Sequence, residues 1–124
     1  MSLDPPQILL EQSFLVALTD AAHARHSDAA TLYLTLVDQF ERDELLLVAV
    51  SDHVQPWAVG RRKGVLAPLD VLHVGHQHRR AADRSPEPDF AVALTLTMCE
   101  RHKVRRMATF DDRFRTYDLV IFPE

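Results

Sequence analysis

The chain is poor in cysteine, in glycine and in long apolar runs. A single cysteine, Cys99, stands among 124 residues, which excludes an intrachain disulfide and any paired-cysteine metal or redox motif. Three glycines and seven prolines are too few for a fibrous or low-complexity chain. No GxGxxG, P-loop or GxSxG pattern occurs. No apolar stretch approaches the roughly 20 residues that cross a bilayer. The opening MSLDPPQILLEQSF lacks a basic segment leading into an apolar one, so no secretory signal is read there and the cytoplasm is the expected location.

What is present fits one soluble globular domain spanning residues 1–124. Apolar residues make up 47% of the chain and charged residues 26%, an ordinary proportion for a domain that buries a real core. The net charge of −4 conceals a division. Residues 1–60 carry two basic and nine acidic side chains, whereas residues 61–124 carry twelve basic and nine acidic. The basic residues gather as RRK (61–63), HQHRR (76–80) and RHKVRR (101–106). Such clusters are ordinary solvated surface when single; three in one half suggest a face that attracts phosphate.

Strands and helices alternate along the chain. ILL (8–10), LLLVAV (45–50), LDVLHV (69–74), RMATF (106–110) and LVIF (119–122) read as strands; the continuous apolar run at 45–50 is the kind that both faces of a sheet bury. Ser13 is expected to cap a first helix with Phe14, Leu15, Leu18, Ala21 and Ala22 on one face, and Ser27 a second with Ala29, Leu32, Tyr33, Leu36, Val37 and Phe40. A further helix is expected near Pro56, leaving Asp52 and His53 in a loop. A short basic helix should follow the third strand. The stretch SPEPDFAVALTLTMCERHK should be a helix with its prolines in the first turn and Phe90, Leu94, Thr97 and Met98 on one face. This order predicts an α/β fold: a three-layer α/β/α sandwich around a central, mostly parallel sheet of four to five strands.

In such a sheet, ligands bind beyond the carboxyl ends of the strands. Glu11 directly follows ILL, Asp111 follows MATF, and Asp89 opens the helix that leads into that strand. Each has an ordinary alternative: Asp111 as a turn cap, Asp89 as a helix-dipole partner, Glu11 in solvent. Their convergence at one sheet edge is the stronger pattern, because carboxylates brought together repel unless a cation lies between them. An all-oxygen set suits Mg²⁺ or Mn²⁺. His73, His76 and His78 have zinc-like spacing, but no cysteine or fourth ligand accompanies them, and solvated or RNA-contacting histidines are the simpler reading. Cys99 reads as a buried thiol and Trp57 as a core or interface anchor.

ILLEQSFLVAL resembles the opening of PIN domains, in which a strand ends in Asp followed two residues later by Ser or Thr. DFAVALTLTMCERHKVRRMATFDDRF is similar to the family's C-terminal block, where an Asp opens a helix and a Thr-x-Asp turn precedes a Phe. Together, at this spacing and length, the two resemble the VapC-type toxins of bacterial toxin–antitoxin pairs. The resemblance implies a divalent-metal-dependent endoribonuclease. It implies Glu11, Asp89 and Asp111 as metal-binding and catalytic acids, Ser13 as the hydroxyl residue, and Asp112 as an auxiliary acid or cap. The family's second acid falls at Trp57, for which nearby Asp52 is the candidate substitute. Mg²⁺ or Mn²⁺ as cofactor, RNA as substrate, a small antitoxin as partner and a homodimer follow from the same resemblance. The alternative expectation is a degenerate PIN fold that binds RNA or protein without cleaving.

Overall fold

The computed structural model describes residues 5–54 and 69–123. The helix expected near Pro56, Trp57 and the RRK cluster lie outside the described residues. Five strands, β1 (Gln7–Leu10), β2 (Leu46–Val50), β3 (Leu69–Leu72), β4 (Arg106–Ala108) and β5 (Val120–Phe122), form one sheet in the order β3-β2-β1-β4-β5. Every neighbouring pair is parallel. The helices are α1 (Gln12–Thr19), α2 (His26–Glu41), α3 (His76–Asp83) and α4 (Phe90–His102). This is the expected three-layer arrangement, with β1 central and β4 beside it.

Two cores follow from the period-two alternation of the strands. Ile8, Leu10, Leu47 and Ala49 face α1 and α2, where they meet Phe14, Leu15, Leu18, Ala29 and Leu36. Leu9, Val48, Val50 and Met107 face the opposite layer and meet Val92, Met98 and Cys99 of α4 together with Phe114. The strands are apolar on both sides because both sides are covered. Burying each of these leucines contributes about 1.5–3 kcal/mol relative to exposure.

Local chemistry shifts several expected boundaries. The first helix ends at Thr19, because the Asp20 carboxylate takes the Ala22 N–H at 3.0 Å and offers the backbone a turn in place of another helical bond. Ala21 and Ala22 are therefore exposed rather than part of the buried face. Glu11, not Ser13, caps α1. The second helix has no side-chain cap at Ser27; it starts at His26 after Arg25, and Asp28 in its first turn pairs with Arg25 at 2.9 Å.

Pro86 and Pro88 precede α4 instead of lying in its first turn. A residue before proline is driven out of the α region, so the helix starts only after Pro88, with Asp89 capping it in an extended conformation. Phe90 is consequently turned outward, 41% exposed. His76 and His78 sit on α3, the expected short basic helix; two residues apart on a helix, they do not share a face. The His78 ring accepts the Gly75 N–H at 2.8 Å and caps that helix.

Candidate active site at the carboxyl edge of the sheet

β1 and β4 run side by side with Leu10 opposite Ala108, and the Glu11 N–H continues the ladder onto the Ala108 carbonyl at 3.0 Å. The Glu11 side chain thus turns into the fold at the point where both strands stop, and it is only 6% exposed. A carboxylate so placed needs donors. Its Oε1 accepts the Ser13 N–H at 3.0 Å, the Ser13 hydroxyl and the Thr109 hydroxyl at 2.6 Å. The same two hydroxyl oxygens accept in turn: Ser13 Oγ takes the Phe110 N–H and Thr109 Oγ1 takes the Asp111 N–H, each at 2.9 Å. Two short side chains therefore join the start of α1 to the turn after β4.

That turn ends in Asp111, which caps a short 3-10 segment, Asp112–Thr116, by accepting the Arg113 N–H at 3.0 Å. Asp89 caps α4 through the Ala91 and Val92 N–H groups at 2.9 and 3.2 Å. The Arg113 guanidinium bridges the two carboxylates. Its Nη1 meets Asp89 Oδ2 at 2.7 Å and its Nη2 meets Asp111 Oδ2 at 2.6 Å, while Nε lies 3.0 Å from Asp111 Oδ1. The guanidinium holds both carboxyls below the usual carboxylate range; the charge of Asp89 pushes weakly the other way on Asp111.

Glu11, Ser13, Phe110, Asp111 and Arg113 line a cavity of about 530 Å³ together with His23, Arg25 and His53. The Arg25 guanidinium lies 4.2 Å from the centre of the Phe110 ring, a cation–π contact that fixes a positive charge at the mouth. Burial pushes the His53 imidazole down from its ordinary pKa, and the Glu11 and Asp52 charges pull it partly back. The Nδ1 atom of His53 is buried and makes no hydrogen bond to a described residue.

Of the expected residues, Glu11 and Ser13 are hydrogen-bonded to each other, Asp89 and Asp111 share Arg113, and Glu11, Ser13 and Asp111 line one cavity whose lining does not include Asp89. The structure does not bring Asp52 or Asp112 to them. Asp52 lies in the turn Ser51–His53 after β2 and pairs with Arg79 of α3 at 2.9 Å. Asp112 points to solvent and pairs with Arg115 at 3.2 Å. Cys99 is 4% exposed, and burial pushes its thiol up to about 12, which leaves it inert. His53, His23, Arg25 and Arg113 were not singled out as site residues from sequence, and Thr109 entered only as the first residue of the Thr-x-Asp turn. Of the first four, only Arg113 left a local trace, since a residue two past a capping Asp donates its N–H to that carboxylate.

The divalent ion implied by the resemblance does not fit the residues as they are arranged. One oxygen of Glu11 is occupied by three donors, and Asp89 and Asp111 are engaged by Arg113. Among the described residues, no three Asp, Glu, His or Cys side chains are grouped to hold a metal.

A five-stranded parallel sheet of this order between two helical layers, with acids at the ends of its inner strands, is the PIN fold of the VapC type. The structure is similar to that of VapC20 of Mycobacterium tuberculosis, a sarcin–ricin loop cleaving toxin, with a TM-score of 0.67 and 20% sequence identity over 91% of this chain and 96% of that one. At that identity the likeness concerns the fold. No protein-family model matches the sequence, and no curated protein matches it. Among the described residues no helix is long and apolar enough to cross a membrane.

Proposed function

We propose that the chain is a VapC-type endoribonuclease that hydrolyses RNA phosphodiester bonds in the cavity at the carboxyl edge of β1 and β4. The observation that carries this reading is one cavity that Glu11 and Asp111 line from adjacent strand ends together with His23, Arg25, His53 and Arg113, with Asp89 tied to Asp111 through Arg113. The fold likeness to a toxin that cleaves the sarcin–ricin loop supports it. In the cavity, Arg25 and Arg113 are the cationic groups that a phosphodiester would meet, and the exposed bases of single-stranded RNA have the Phe110 ring beside them. Hydrolysis forms a bond from a water oxygen to phosphorus, breaks a phosphorus–oxygen bond and delivers a proton to the leaving oxygen. His53, whose imidazole burial pushes below its ordinary pKa, is the group placed to hold a proton.

A binding role without cleavage is the second reading, and the pairing of Arg113 with both aspartates favours it, since it neutralises carboxylates that a nuclease would use. Incubation of the purified protein with RNA and Mn²⁺, against an EDTA control, separates the two. Cleavage lost in Asp111→Asn and in Asp89→Asn supports the enzyme; RNA retention without cleavage supports the binding module; cleavage that survives Asp111→Asn belongs to a contaminant and sinks the first reading. A small antitoxin-like partner and a homodimer complete the proposal, and light scattering of the protein alone and after co-expression with its genetic neighbour tests both.

A further inference from the structure

We propose that Arg113 occupies the cation position of this site, so that a divalent ion enters only when the guanidinium leaves Asp89 and Asp111. This rests on the reading of those two aspartates as the ion-holding pair. A single planar cation meets both of them, through its two terminal nitrogens, at 2.7 and 2.6 Å. No other cationic side chain among the described residues contacts either carboxylate. Removing the guanidinium leaves two carboxylates facing each other with nothing between them, which is the arrangement that a divalent ion stabilises.

Exposure makes the contact releasable. The Arg113 side chain is 54% exposed, and Asp89 and Asp111 are 39% and 19% exposed. Solvent-screened pairs of this kind are weak, though the fork geometry favours them. The other two contacts of the aspartates do not depend on the guanidinium: Asp89 caps α4 through backbone N–H groups, and Asp111 caps the 3-10 turn through the Arg113 N–H. The carboxylates would therefore remain in place when the side chain swings out. Arg113 in this view is a positioning residue that holds the site closed to the ion, and the protein's ion affinity is set by competition between a singly charged internal cation and a doubly charged external one.

Mn²⁺ binding tests this directly, read by the loss of the free-ion electron paramagnetic resonance signal and by thermal unfolding. Arg113→Gln removes the charge and Arg113→Lys keeps it. Arg113→Gln should bind Mn²⁺ more than about tenfold tighter than wild type, since divalent-ion affinity follows the charge count of the site. It should melt lower without the ion and regain stability when the ion is added. Arg113→Lys, which keeps the charge without the fork, should fall between wild type and Arg113→Gln, and Asp111→Asn placed on Arg113→Gln should abolish the gain. Equal Mn²⁺ affinity in wild type and Arg113→Gln, with both folded by circular dichroism, overturns the proposal. So does tight binding that persists in the double variant. RNA cleavage by wild type is scored separately: activity lost on Asp111→Asn with unchanged Mn²⁺ affinity in Arg113→Gln retains the nuclease reading and discards the role of Arg113.

Discussion

Glu11 and Thr109 lie 98 positions apart in the chain, and their side chains meet at 2.6 Å inside the fold. The threonine hydroxyl is one of three donors that make a buried carboxylate tolerable at the end of β1. Thr109→Val keeps the shape and removes the donor. A buried hydrogen bond to a charged group contributes about 1.5–3 kcal/mol, and chemical denaturation should show a loss of that size. Glu11→Gln should cost less, because its amide oxygen can still accept from Ser13 and Thr109. Equal stability of Thr109→Val and wild type would mean that the carboxylate finds another donor.

The low pKa values of Asp89 and Asp111 give a second expectation. The folded carboxyls titrate below their unfolded value near 3.8 because Arg113 holds them ionised. Their contribution to stability is therefore present above that value and is lost as pH falls through the folded pKa values. Arg113→Gln removes the largest cause, so both carboxyls should take up protons at higher pH than in wild type. Carbon-detected NMR titration of the two side chains reads this; unchanged midpoints would deny the ion pair in solution.

His53 yields a dependence of the same sign at higher pH. Its folded pKa lies below the ordinary 6.5 because of burial, so the unfolded chain takes the proton first. The contribution of the neutral ring is complete above about 6.5 and declines as pH falls below it. Glu11→Gln removes a charge that raises the pKa, and the imidazole should then titrate lower still. A midpoint that rises in this variant would show that Glu11 does not face the ring.

Asp52 and Asp112 are expected to behave alike and unlike Asp111. Both pair with arginines away from the cavity, so Asp52→Asn and Asp112→Asn should leave RNA cleavage within about threefold of wild type. Asp111→Asn, which removes a group that would act at the reacting phosphate, should lose a hundredfold or more, roughly the range of removing one such group. A large loss in Asp52→Asn would bring that carboxylate back into the site.

Much of this architecture is legible in the chain. The unbroken apolar runs at 8–10 and 45–50 mark strands covered on both sides, and Glu11, Asp89 and Asp111 each follow or precede an element that sequence alone defines. Helix ends are less visible. Ala21 and Ala22 continue the helical periodicity of Phe14 and Leu18, yet a carboxylate on Asp20 competes for their backbone. The partner of Asp89 is hidden for a different reason. Arg113 lies 24 positions away, and only the turn after β4 brings it across; no periodicity records such a meeting. Thr109 and His53 are likewise meaningful only through Glu11, which lies far from both in sequence.

The central position of β1 carries a temporal consequence. Synthesis delivers this strand before the other four, and its neighbour β4 with the turn holding Thr109 and Asp111 follows only after β2, β3 and the helices between. Closing a loop of that length is slow compared with local folding, and on a ribosome it must wait until β4 and its turn have emerged. A nascent polypeptide therefore carries Glu11 without its cavity while the 98 positions up to Thr109 are made. The cavity at the sheet edge exists only once β4 has paired with β1, and a product interrupted before Arg106 lacks it by topology alone.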